Sequence, residues 1–359
     1  MTNKTRGAKP ASAKILQFDG RRPTINDVAR LSRVSKKTVS RVINQSPFVK
    51  ENTRERVEAV IKEIGYTPDP MARGLASKRS FLVGLIYDQP NPQYVIDMQQ
   101  GILDVIRGSG FELLVHPCRR QAPDFLPSVR HFVERQKLAG VVLPPSLSED
   151  DALVDLLREF DCPYVRIASV LLDDAEHSIV THDAEGAEQA AHHLADLGHS
   201  RIAHVSGPDT FRSAHERRAG FVKGLKSRKL KLEKGLDVKA AYTFLSGVEA
   251  GRKLMALDQP PTAVFCGNDE MAAGVCQAVR EAGLEIGRDV SIVGYDDSPL
   301  ATRLWPPLTT LLLPIRLMGR MASTRLLGDS LIGEPPIEEA LGEVHPKLVV
   351  RGSTAPARA

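Results

Sequence analysis

The 359-residue chain is predicted to join a small all-α helix-turn-helix head to an α/β core of two lobes, each a parallel, doubly wound sheet. Three observations predict it. Between Thr24 and Ile64, apolar side chains recur at helical spacing in three short runs broken by turn residues. From Phe81 onward, strand-length apolar runs alternate with helical stretches, the pattern of β-α units. About 270 residues of that pattern exceed what one such sheet typically needs, so two lobes are expected.

Charge separates the two parts. Residues 1–80 carry 18 Lys and Arg against 7 Asp and Glu, a balance of +11, while the remainder carries 30 against 37, or −7. A basic head on an acidic body suggests that the head alone meets a polyanion. No apolar run approaches the roughly 20 residues of a membrane span, and Ile15-Leu16 is too short for a signal-peptide core. Cys118, Cys162, Cys266 and Cys276 lie far apart with no CxxC, which fits reduced thiols in a cytoplasm. The expectation is a cytoplasmic, nucleoid-associated protein without membrane contact.

Residues 1–22 are polar and aperiodic and are expected to be a disordered basic arm. In TINDVARL, Ile25, Val28, Ala29 and Leu31 share a helical face, and Thr24 with Asp27 matches an N-terminal capping signature. After a turn at Ser32-Arg33-Val34, Ser35 is placed to cap a second helix that buries Val39, Val42 and Ile43. Lys36, Lys37, Ser40, Arg41 and Asn44 then face outward. A third helix is expected from about Glu51 to Ile64, with an apolar stripe of Val57, Val60, Ile61 and Ile64 and Gly65 at its end. The second helix of such a motif enters a DNA major groove. Lys36 and Lys37 on its first turn suit guanine O6 and N7, and Ser40 and Asn44 add polar contacts. Arg41, Arg22, Lys50 and Arg54 suit phosphate.

In the body, strands are predicted at 81–87, 111–116, 139–144, 164–167, 201–205, 262–266 and 290–295. Helices are predicted at 94–107, 150–159, 185–197, 213–226, 246–257 and 269–282. Ligands of open α/β sheets bind at the carboxyl ends of strands, and the residues there are polar: Asp88, Asn91 and Tyr94, then Ser213 and Arg217, then Asn268 and Asp269, then Asp296 and Asp297. Carboxylates, amides and an arginine under an aromatic cover suit a neutral polyol. Tyr94, Phe244 and Trp305 are candidates for that cover.

The sequences TINDVARLSRVSKKTVSRVIN and TRERVEAVIKEIGYTPDPMARGLASKRS resemble the head and hinge of the LacI/GalR (lactose-repressor) family of bacterial transcription regulators. GPDTFRSAHERRAGF, FCGNDEMAAG, DVSIVGYDDSP and PPLTTLLLP are similar to the family's effector-binding core, which shares the periplasmic-binding-protein fold. The resemblance implies a head at 23–68, a hinge helix or linker at 69–80 and an effector-binding, dimerising core at 81–359. The N-lobe would take about 81–179 plus 312–340, and the C-lobe about 180–309 plus 341–353. It implies DNA contacts from Thr24, Ser35, Lys36, Lys37, Thr38, Ser40, Arg41 and Asn44, and from Ala72 and Leu75 in the hinge, with Leu75 wedged into the minor groove. It implies effector contacts from Asp88, Asn91, Tyr94, Ser213, Arg217, Phe244, Asn268 and Asp296. Lys50 stands where the family usually has a Ser cap. Leu313 and Ala168 stand where relatives carry polar or acidic residues, which implies a cleft with fewer polar contacts.

The expected partners are a double-stranded, pseudo-palindromic DNA operator, a carbohydrate effector and a second copy of the chain. One small head offers few base contacts, and two-fold operators mirror two-fold proteins. GxxxxGK[ST], GxSxG and HExxH are absent, and the polar cleft residues lack an obvious nucleophile–base pair, so no enzyme and no cofactor are expected. No metal site is expected either. His192 and His193 are adjacent and face different ways on a helix, and no acid or Cys completes a set with His199 and His204. The rival functions for the same α/β core are a sugar-binding transport component and a cytosolic sugar-processing enzyme.

Overall fold

Asp27 sets the start of the first helix. Its buried carboxylate accepts the Thr24 N–H at 3.0 Å and the Thr24 hydroxyl at 2.7 Å, satisfying donors that a helix start leaves open. Arg21 and Arg30 also reach it, at 2.7 and 3.3 Å. The Arg21 pair, then Thr24, holds the Asp27 carboxyl far below the usual carboxylate range. The computed structural model describes residues 21, 23–43, 46, 48–66, 80–328 and 342–358. Residues 1–20 and 22 of the expected arm, Asn44, the hinge from 69 to 79 with Ala72 and Leu75, and residues 329–341 lie outside the described residues.

The chain divides into two compact units, Met1–Arg79 and Ser80–Ala359. The first holds α1 (Ile25–Ser32), α2 (Lys36–Ile43) and α3 (Glu51–Ile64). Val28, Val39 and Val57, one from each helix, are fully buried together. Each such side chain contributes roughly 1.5–3 kcal/mol. Arg33 ends α1 in the left-handed region (φ 53) and Gly65 ends α3 there (φ 64). The Ser35 hydroxyl accepts the Thr38 N–H at 3.1 Å. Lys50 precedes α3 without a side-chain cap bond.

The second unit contains two sheets. The first is ordered β2 (Glu112–Pro117), β1 (Leu82–Tyr87), β3 (Gly140–Leu143), β4 (Tyr164–Ala168), β5 (Ser178–Val180), all parallel. The second is ordered β11 (Lys347–Val349), β10 (Thr309–Leu312), β9 (Ser291–Asp296), β8 (Ala263–Cys266), β6 (Ile202–Ser206), β7 (Asp237–Lys239), with only β11 antiparallel. The central strands β3, β4, β6, β8 and β9 are buried along their whole length, as parallel strands covered on both faces must be.

The covering helices are α4 (Pro92–Ile106), α5 (Phe125–Gln136), α6 (Asp151–Glu159), α7 (Asp183–Asp196), α8 (Arg212–Ser227), α9 (Phe244–Met255), α10 (Asp269–Glu281), α11 (Pro299–Arg303) and α12 (Ile315–Leu327). Sequence periodicity does not predict α5, α11 or α12, or the three-residue strands β5, β7 and β11. In α5 the apolar stripe thins to Phe125, Val129 and Val133. In α12 it is interrupted by Gly319, whose missing side chain lets the helix lie against α4. A Cβ there would sit 2.5 Å from the Met98 carbonyl oxygen, and one on Gly101 only 2.1 Å from that of Arg316. Packing, more than local preference, fixes this pair.

Candidate functional site

In the head, Val39 and Val42 are buried, so helical geometry turns the opposite face of α2 outward. Ser35, Lys36, Lys37 and Arg41 are exposed there, and Thr38 and Ser40 are half-buried. Thr24 is exposed at the start of α1, though its hydroxyl is bonded to Asp27. Arg54 departs from the phosphate-binding expectation. Its guanidinium donates to the Ser46 carbonyl at 2.9 Å, and its side chain is only 17% exposed, so it braces the loop before α3.

In the core, the carboxyl ends of both sheets meet around a narrow polar cavity. Its lining includes Asn91 and Tyr94 from the first lobe and Asp183, Ser213, Arg217, Tyr242, Asn268 and Asp296 from the second. Asn91 caps α4 by accepting the Gln93 N–H, and its amide donates across the cleft to Asp296 at 3.4 Å. A second link across the cleft runs from the Arg212 N–H to Glu149 at 3.0 Å. Asn268 caps α10 by accepting the Met271 N–H at 2.9 Å and donates to the Tyr242 carbonyl at 3.0 Å.

Arg217 stands at the centre. Its Nε donates to Asp183 at 2.6 Å, one Nη donates to the Gly267 carbonyl, and the Asp296 carboxylate lies 3.8 Å away. The guanidinium lies 3.6 Å over the Tyr295 ring, a cation–π contact. Desolvation opposes the arginine's charge, yet Asp183 and its other neighbours hold its pKa above the ordinary value. Asp296 goes up instead: burial penalises its carboxylate more than Arg217 compensates. Asp296 and Asp297 are both held at positive φ, 109° and 53°, a conformation that costs energy and clusters at functional sites. The buried Tyr94 hydroxyl lines the cavity and has no hydrogen-bond partner among the described residues. An acceptor or donor from a ligand would satisfy it.

The cavity thus gathers Asn91, Tyr94, Ser213, Arg217, Asn268 and Asp296, and it leaves out two expected members. The Asp88 carboxylate accepts the Arg120 N–H at 2.8 Å and faces a neighbouring, more open cleft. Phe244 starts α9 behind the Thr243 cap, away from the cavity lining. Trp305 does not cover it either, being 82% exposed; Phe211 and Tyr242 take that place, packed edge to face at 5.4 Å. Leu313 and Met318 form an apolar wall, whereas Ala168 is buried in β4. Asp183 and Tyr242 were missed because they follow β5 and β7, strands too short to mark a strand end. The histidines His192, His193, His199 and His204 disperse to Ser227, Thr354, Thr262 with Ser291, and Asp237. No helix among the described residues is long and apolar enough to cross a membrane.

Comparison with known proteins adds the following. Residues 24–69 match the model for bacterial regulatory proteins of the lacI family, and residues 191–354 match a periplasmic binding protein-like domain. The chain is 30% identical over 336 residues to the probable HTH-type transcriptional repressor ExuR of Bacillus subtilis, covering 92% of this chain and 98% of that protein. It is similar to the transcriptional regulator CelR in complex with cellobiose, at 30% identity and a TM-score of 0.66, with 92% of this chain and 100% of that one covered. It is also similar to the lac repressor dimer bound to operator and the anti-inducer ONPF, at 28% identity and a TM-score of 0.74, with 93% and 100% covered.

Proposed function

Because the chain belongs to the lacI family of bacterial regulatory proteins, we propose that it is a sequence-specific transcriptional repressor of a carbohydrate-utilisation operon, acting without catalysis as a cytoplasmic, nucleoid-associated homodimer. The two heads read a pseudo-palindromic operator. Lys36 and Lys37 donate to base edges, and Ser35, Thr38, Ser40 and Arg41 serve the neighbouring contacts. Thr24 adds a backbone contact, and Asn44, Ala72 and Leu75 carry the roles their motif positions imply.

The effector is a sugar held between the lobes. The observation that carries this reading is the cavity lined by Arg217, Asp296, Asn268 and Asn91, into which the Tyr94 hydroxyl enters without a hydrogen-bond partner among the described residues. Amides, carboxylates and a guanidinium fork bind vicinal hydroxyls, while Tyr94, Phe211, Leu313 and Met318 face the apolar side of a sugar ring. Effector acts on operator affinity through the lobes. A ligand that bridges Asn91 and Asp296 binds one lobe arrangement better than the other, and it shifts the balance by that difference alone. A sugar-binding transport component lacks any use for the basic head, and a sugar-processing enzyme would need turnover.

The test has two arms on the full chain. Selection from a random duplex pool is expected to enrich a pseudo-palindrome, and a thermal-shift screen of mono- and disaccharides and purines is expected to find a sugar that raises the melting temperature. An unenriched pool overturns the DNA-reading function. Product formed from a sugar revives the enzyme.

A further inference from the structure

Two segments of the second unit run side by side where the chain passes between its sheets. β5 belongs to the first sheet and leads directly into α7, and the segment from Gly342 leads into β11 of the second sheet. The Val180 N–H donates to the Gly342 carbonyl at 2.9 Å, and the Val344 N–H to the Val180 carbonyl at 2.8 Å. This pairing brings together four side chains that the effector cavity does not use: His182 and Glu185 on one segment, Glu343 and His345 on the other.

From this cluster we propose a divalent transition-metal site, for an ion of the zinc, cobalt or nickel class, that ties the two crossover segments together. The donor atoms already converge. His345 Nδ1 lies 2.8 Å from Glu185 Oε2, and His182 Nδ1 lies 3.5 Å from Glu185 Oε1. Glu343 Oε2 stands 3.3 Å from His182 Nε2 and 3.6 Å from His345 Nε2. One ligand atom each from His182, Glu185 and His345 fits within 4.8 Å of the others. The His182 Nε2 atom is buried without a hydrogen bond among the described residues, and the residue itself is held at φ 43.

Charge and donor type select the ion. Two carboxylates and two neutral imidazoles carry −2, which a divalent cation cancels. The rings stack 4.3 Å apart at 8°. Two nitrogen and two oxygen donors suit zinc, cobalt and nickel, whereas calcium and magnesium take oxygen ligands. Binding opens the ring stack by side-chain rotation, so that the lone pairs meet at one point. The exposed side chains of Glu185, Glu343 and His345 are free to make that movement, with 53–62% of their area in solvent.

The test uses untagged full-length protein, stripped with chelator and titrated with cobalt(II), with zinc as competitor. The expected result is one cobalt per chain, a visible d–d absorption of nitrogen- and oxygen-ligated metal, and its loss on zinc addition. His182→Ala and His345→Ala each remove a direct ligand and lower affinity at least 10–100-fold, the range already seen for partners one shell further out. Glu343→Gln weakens binding in the same direction. His177→Ala serves as control, since Asp173, Asp174 and His177 form the other group of suitable donors among the described residues, and it leaves the titration unchanged. Absence of stoichiometric binding, or binding that survives in the His182→Ala/His345→Ala double variant, overturns the proposal. So does binding that is lost in His177→Ala instead.

Discussion

Replacing Arg217 with Ala removes a cation that lies between the buried carboxyl groups of Asp183 and Asp296. Asp183 is 1% exposed and Asp296 6%, so water cannot take over the role of the guanidinium. Removing one partner of a buried pair costs about 3–5 kcal/mol, because the other charge stays buried and unpaired. A core of this size shifts by roughly 2–4 °C per kcal/mol, so the melting temperature falls by roughly 6–20 °C. The Gly267 carbonyl and the Tyr295 ring also lose their contacts, which places the variant toward the upper end. The assay is calorimetry of full-length parent, Arg217→Ala, Asp183→Asn and the double variant. The double variant recovers part of the loss, because it also removes the Asp183 carboxylate that Arg217→Ala leaves without its partner. A single Arg217→Ala variant melting within about 2 °C of the parent, a shift worth under about 1 kcal/mol, refutes the reasoning. The same geometry makes Arg217→Lys the better variant for effector response. It keeps the charge and loses the planar fork and the stack.

Further outcomes follow from the head and the core packing. Lys36→Ala or Lys37→Ala is expected to relax base preference at one operator position by roughly 1–3 kcal/mol, measured on a panel of single-base operator variants; unchanged preference on that panel assigns base reading elsewhere. Burial pushes the Asp269 carboxyl up to about 7 despite donors from Thr310 and Ser298. A carboxyl raised in the folded state loses stability as pH rises from its unfolded value through the folded one. The melting temperature of Asp269→Asn minus that of the parent therefore climbs between pH 5 and pH 8, and a flat difference contradicts the shift. Gly101→Ala drives a Cβ into the Arg316 carbonyl across the α4–α12 contact. Overpacking of this kind costs about 1–3 kcal/mol, read as a lower denaturation midpoint, and an unmoved midpoint means the two helices are free to part.

The legible and illegible parts of this molecule divide on physical grounds. The three head helices were readable because Thr24 with Asp27, Ser35 and Gly65 mark their ends and each contributes a valine to one small core. Arg217, Asn268 and Asp296 were readable because each lies at or beyond the end of a strand long enough to see. Asp183 and Tyr242 follow strands of three residues, whose identity comes from sheet pairing and not from local sequence. Asp88 also follows a strand, yet the Arg120 N–H engages its carboxylate and it faces another cleft. The strand-end rule gives a neighbourhood, and hydrogen-bond competition decides which side chain faces the cavity.

The proposed function requires coupling between the interlobe cavity and the head. The direct measurement is a fluorescence-anisotropy titration of the full chain onto its selected operator, with and without a saturating amount of the sugar found by thermal shift. The predicted result is a change in operator affinity of about 5–150-fold, corresponding to a coupling of about 1–3 kcal/mol. Superimposable isotherms, with the sugar shown to be bound under the same conditions, would contradict it.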